Sequence, residues 1–230
     1  MKRVFTDRIS ANPPHPCHMW PMSWIVRHSF SAAPALVISL IMSGSLSASS
    51  SLTSPKIQEV RAATEKDKAS AQAEQAFKEA VRLNTQQTAE SLKKAIAKYQ
   101  EAVALWHSAG EREFEGLAIN NLAQVYYTLG DRKKALELFG QALSIMQATG
   151  SKLGEATTLS NIAAVYEDLG EKDKALDYYG KALPLRRAIG DKAGEGVTLS
   201  NIGFLYSHTG DNQKALDYFS QALAIMRVVG

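Results

Sequence analysis

A period of forty residues runs through the second half of the chain. Aligned without gaps, residues 151–190 and 191–230 are identical at 19 of 40 positions, and 111–150 and 151–190 at 15. Asn121, Asn161 and Asn201 recur, as do Tyr126, Tyr166 and Tyr206, then Gly130, Gly170 and Gly210, then Ala135, Ala175 and Ala215. Gly110, Gly150, Gly190 and Gly230 mark the boundaries. Self-similarity at one spacing restricts the fold to a stack of like units, because each unit has an apolar face that only its neighbour covers.

Each period holds two helices. Leu199, Ile202, Gly203 and Tyr206 recur at spacings of three and four, one face of a helix. Gly210 supplies the left-handed conformation that ends it, and Asp211 caps the next. That second helix carries the same rhythm through Ala215, Phe219, Ala222 and Leu223. Ala123, Ala163 and Gly203 are small where the paired helix approaches, and Ala135, Ala175 and Ala215 serve the same contact from the other side.

These residues resemble the tetratricopeptide repeat (TPR), matching in order and spacing through Leu199, Ile202, Gly203, Tyr206, Gly210, Ala215, Phe219 and Ala222. The family's late proline is absent, with Gln147, Arg187 and Arg227 in its place, and its early aromatic is Ile119, Leu159 or Leu199. The longer period is similar to the kinesin-light-chain-like subset. The resemblance implies an all-α, right-handed α-solenoid of about four TPR-like hairpins. Those at 111–150, 151–190 and 191–230 are regular, and the one at 66–110 is divergent, with 49–65 read as a linker. More broadly, the wording from QEVRAATEKDKASAQAEQAF onward resembles the repeat region of cyanobacterial TPR proteins that end in a CHAT (caspase-like) peptidase domain.

Residues 1–48 read as a signal peptide or leader. Arg27 and His28 precede the apolar run AAPALVISLIM (32–42), and SGSLSASSSLTS supplies small residues for cleavage within 46–50. Export to the periplasm or extracellular space is the expectation, with a membrane anchor by the uncleaved leader as the alternative. Met19 and Met22 lie downstream of Met1, and starting at Met22 leaves a leader of ordinary proportions. The formal charge of +3 belongs to the leader, since 49–230 holds 22 basic and 22 acidic residues. Steering toward nucleic acid therefore has little support. Cys17 is the only cysteine and precedes the apolar run, so it offers neither a disulfide nor a lipid-acceptor position.

In the family, first helices line a concave groove. The resemblance places Asn120, Asn121, Gln124 and Tyr127, then Asn161, Glu167 and Asp168, then Asn201, Phe204 and His208 on that surface. Asparagines at forty-residue spacing carry donors and acceptors suited to an extended peptide. They can equally bond a neighbouring helix and fix the stack. The groove positions contain no Lys or Arg, which argues against a clamp for C-terminal carboxylates. His107 and His208, the histidines outside the leader, have no cysteine or second histidine at ligand spacing. The expectation is a non-enzymatic scaffold for a protein or peptide, without metal or cofactor. The alternatives are the regulatory front of a longer CHAT-type peptidase and a self-assembling array. The apolar end ALAIMRVVG leads us to expect that the array continues beyond Gly230, or that its end self-associates.

Overall fold

The computed structural model describes residues 55–229. The leader, with Cys17 and the start of the linker, lies outside the described residues. Eight helices follow one another, with no strand among the described residues: α1 (Pro55–Asn84), α2 (Ala89–Ala109), α3 (Arg112–Thr128), α4 (Arg132–Thr149), α5 (Lys152–Asp168), α6 (Lys172–Ala188), α7 (Lys192–His208) and α8 (Asn212–Val229). Residues 59–230 form one compact unit, an all-α solenoid of antiparallel hairpins.

The first helix begins inside the stretch read as linker. Pro55 suits a first helical position because it has no N–H to lose, and the Ala, Glu, Lys and Arg that follow favour helix. Residues 61–68 are exposed, so no apolar stripe marks this part of α1 in the sequence. Its buried face starts at Ala73 and continues through Ala76, Phe77 and Ala80. Phe77 packs between Tyr99 and Trp106, with ring centroids 5.5 and 5.3 Å away.

Every turn from Gly110 onward is built alike. Gly130 has φ 82°, its N–H donates to the Tyr127 carbonyl (2.9 Å), and the Asp131 N–H donates to the Tyr126 carbonyl (2.9 Å). This paired pattern satisfies carbonyls that the helix end would otherwise leave unmade, and it needs a left-handed residue that glycine adopts without a Cβ clash. Gly170 (75°) and Gly210 (80°) repeat it within the other hairpins, and Gly110, Gly150 and Gly190 repeat it between hairpins. Asp131, Asp191 and Asp211 then accept backbone N–H groups at the start of the next helix.

Within a hairpin, alanines permit close approach. Ala163 and Ala175 are fully buried in one cluster with Tyr179, Ile202 and Leu205. Half-buried tyrosines close the hairpin edge, Tyr166 stacked on Tyr178 (5.5 Å) and Tyr206 on Tyr218 (5.6 Å).

Between hairpins, the end of each second helix meets the start of the next first helix. The facing pair differs at each joint. Trp106 stacks on Phe114 at 5.5 Å, Met146 lies against Gly154, and Arg186 lies against Gly194. A glutamate recurs beside them. Glu115 accepts from Arg112 (2.6 Å) with His107 Nδ1 at 3.1 Å, Glu155 accepts from Gln147 (3.2 Å) and Lys152 (3.0 Å), and Glu195 accepts from Arg187 (2.7 Å) and Lys192 (3.0 Å). The Arg187 hydrogen bond holds the Glu195 carboxyl below the usual carboxylate range, against the opposing effect of burial.

Two measurements test this packing. Phe139 and Phe219 hold equivalent places, but Phe139 is fully buried and Phe219 is 38% exposed. Phe139→Ala is expected to cost about 3–5 kcal/mol in chemical denaturation, and Phe219→Ala less than half of that. Because the folded pKa of Glu195 is depressed, its contribution is complete above the unfolded value near 4.5 and disappears as pH falls through the folded value. Glu195→Gln should therefore lose about 1–2 kcal/mol at neutral pH and depend less on pH in acid, read from melting curves between pH 3 and 7.

Candidate functional site

The three recurring asparagines sit in three different environments. Asn161 is buried, and its Nδ2 donates to Asn120 Oδ1 at 3.1 Å. Asn120 is buried as well, with the Thr158 hydroxyl 3.2 Å from the same oxygen and 2.9 Å from the Gly154 carbonyl. Asn120 and Asn161 thus bridge α3 and α5 from inside the stack and are not open to a partner, which for Asn161 is the stack-fixing alternative and for Asn120 a correction to the groove assignment. The cause is the close packing of successive first helices, which leaves α5 buried from Thr158 through Val165. Asn121 is half-buried and returns its Nδ2 to the Leu117 carbonyl of its own helix at 2.9 Å.

Asn201 differs again. It is half-buried and donates to the Tyr179 hydroxyl (3.2 Å), which in turn donates to Glu167 Oε2 (3.2 Å). One polar chain therefore links α7, α6 and α5. Tyr179 is buried up to its ring and only its hydroxyl reaches this chain. A periodic reading takes Tyr179 for a core aromatic equivalent to Phe139. The distinguishing signal is its hydroxyl at a position where the two flanking repeats carry Phe139 and Phe219, although the first repeat has Tyr99 there.

The remaining candidates reach the surface. Tyr127 and Gln124 on α3 are half-buried, and Asp168 at the end of α5 is exposed. Arg132 pairs with Asp168. Burial first, then the negative charge of Asp168, pushes the Tyr127 hydroxyl up from its ordinary range, while Arg132 opposes the shift. Phe204 and His208 on α7 meet edge to face with centroids 4.0 Å apart. The described surface of the first helices thus combines amides, carboxylates and aromatic rings, with Asn120 and Asn161 beneath it.

A cation also lies close by, which inspection of the first helices alone misses. Arg186 comes from α6, is buried, and brings Nη2 to 3.4 Å from the Ser160 hydroxyl of α5. Its Nη1 bonds Asp191 at 2.5 Å, so the charge is compensated internally. Among the described residues, its Nε is a buried polar atom without a hydrogen-bond partner. Where other repeats place Met146 or Trp106, this one places a guanidinium. No group of three or more His, Cys, Asp or Glu side chains among the described residues is arranged to hold a metal ion. No described helix is long and apolar enough to cross a membrane.

Comparison with known proteins agrees with this architecture. The tetratricopeptide-repeat family model matches residues 84–148 and 154–227, more than half of the chain. No curated protein sequence matches the chain. Among solved structures, the apo form of RapI superposes with a TM-score of 0.63 at 19% identity, over 70% of this chain and 57% of that one. Aspartyl phosphate phosphatase F from Bacillus subtilis gives 0.62 at 18% identity, over 75% of this chain and 45% of that one. MamA gives 0.51 at 19% identity, over 75% of this chain and 91% of its own. The chain therefore spans less than two thirds of RapI and of the phosphatase, and at these identities the likeness is one of fold. The forty-residue period, the glycine-closed hairpins and the family match together show that the chain belongs to the tetratricopeptide-repeat family.

Proposed function

We propose that the array is a scaffold that binds an extended segment of another protein across the exposed edge of α3, α5 and α7. The observation that carries this reading is the Asn201–Tyr179–Glu167 chain. It ties two surface polar side chains to a buried hydroxyl and so orders them before any partner arrives. Preordered side chains lose less entropy on binding. Asn121 and Gln124 add amide groups, and Tyr127, Phe204 and His208 add aromatic surface, the residue types that anchor peptides at interfaces. Glu167 adds a carboxylate to the edge, while Asp168 is held in its pair with Arg132.

The test is selection from a random peptide library against the full chain, followed by affinity measurement on variants. Tyr127→Ala combined with Phe204→Ala should weaken the selected peptides at least tenfold while the helical circular-dichroism signal is unchanged. Asn161→Ala should do the reverse, lowering stability by about 1–2 kcal/mol with affinity kept in the folded protein. Enriched peptides that bind the double variant as well as the wild type would overturn this assignment of the surface.

We also infer that the scaffold works outside the cytoplasm, supported by the basic flank, apolar run and small-residue exit at 27–50. N-terminal sequencing of the exported protein should begin within residues 46–52. An intact Met1 or Met22 on cytoplasmic protein contradicts it.

A further inference from the structure

Successive hairpins also meet at the end of the stack where the first helices finish, and there two equivalent joints differ. At one, Arg132, the first residue of α4, pairs with Asp168, the last residue of α5. Forty residues on, the first residue of α6 is Lys172 and the last of α7 is His208. The cation is kept and its carboxylate is lost. Lys172 turns instead to neutral groups: its Nζ donates to the Thr209 hydroxyl oxygen and lies 4.8 Å from the centre of the Tyr206 ring. The Thr209 proton goes to the carbonyls of Leu205 and Tyr206 (3.2 and 3.0 Å), which leaves its oxygen to accept. An ammonium carries three N–H donors, so these contacts do not exhaust it. The acids nearby in the chain are engaged elsewhere. Glu171 pairs with Lys174 (2.5 Å), Asp211 with Lys214 (2.8 Å), and Glu167 accepts from the Tyr179 hydroxyl (3.2 Å). Among the described residues, Lys172 enters no ion pair.

We propose that Lys172, held where α7 ends in His208, takes the carboxylate of an Asp or Glu side chain in the bound segment, an inference that rests on the scaffold role proposed above. Arg132 is the internal comparison, because Asp168 supplies within the chain what the partner supplies at Lys172. The place is reachable: Lys172 is half-buried, and His208 and Thr209 are exposed. It is also continuous with the surface already described, since His208 packs against Phe204 at 4.0 Å. The local field supports an anion. Lys214 lies 5.1 Å from the same Tyr206 ring, a second cation at this end of the hairpin. At the start of α6, Glu171 makes no side-chain cap where Asp131 and Asp211 do, so the positive end of that helix is left uncovered and offsets the negative end of α7. A segment lying along the first helices thus sets its acid beside the residue that meets Phe204.

The experiment probes the 230-residue protein with an array of random nonapeptides, each made in two forms that carry Glu or Gln at one position. For the peptides that bind, the Glu form should be about threefold to fivefold tighter at low salt, the range of an exposed ion pair, and the ratio should shrink as salt rises. Lys172→Gln should bring the ratio to about one, whereas Lys214→Gln, the same change of net charge, should keep most of it. His208→Asp rebuilds the Arg132–Asp168 arrangement and should remove the preference with Lys172 intact. Asp168→His should do the opposite, freeing Arg132 to favour peptides with a second Glu. Peptides that need Tyr127 and Phe204 but bind alike in both forms overturn this inference and leave the scaffold reading standing. A Glu preference that survives Lys172→Gln also overturns it. An array in which nothing binds, or in which binding survives Tyr127→Ala with Phe204→Ala, overturns both.

Discussion

The whole array depends on one constraint: a single hairpin cannot cover the outer face of its own second helix. Among the described residues the constraint is met three times and unmet once. Tyr99, Phe139 and Tyr179 are buried, each with a hairpin following, while Phe219, in the equivalent place, is 38% exposed. Burial at these positions comes from residues far along the chain but adjacent in the stack, so stability grows by neighbour contacts. The glycine turns make this possible. By ending α2 through α7 in the same left-handed residue, they repeat one turn geometry six times along the stack.

That repeated geometry explains how the polar groups are distributed. Successive first helices pack so closely that Asn120, Thr158 and Asn161 become interior and must satisfy one another. One hairpin further on, Asn201 finds a tyrosine hydroxyl in place of another amide, and the hydrogen bonds run outward to Glu167. The same repeated residue therefore fixes the stack in one unit and orders the surface in the next. Which of these it does follows from the neighbour it meets and not from its own position in the repeat.

The solenoid was legible in the sequence because periodic glycines and alanines map directly onto turns and close contacts, each with a steric cause. For Asn161, by contrast, the sequence leaves both the groove and the stack open, because spacing tells only which side of a helix a residue lies on. It does not tell how near the next helix comes on that side. The glutamates at 115, 155 and 195 recur as faithfully as the asparagines, yet their partners sit eight residues earlier, across a turn, where no helical rhythm points. The start of α1 was missed for a different reason, since an exposed helix leaves no apolar stripe.

Arg186 has a consequence for what each joint would uncover if the stack came apart. At the first two joints the facing pair is ring on ring and thioether on backbone, with a hydrogen-bonded glutamate beside each. The third closes on a guanidinium wedged against Gly194, with one buried N–H unmet. Its ion pair to Asp191 fixes its direction, and displacement exposes a charge already poorly solvated. Parting the last two hairpins therefore uncovers a guanidinium where parting the earlier ones uncovers an indole or a thioether.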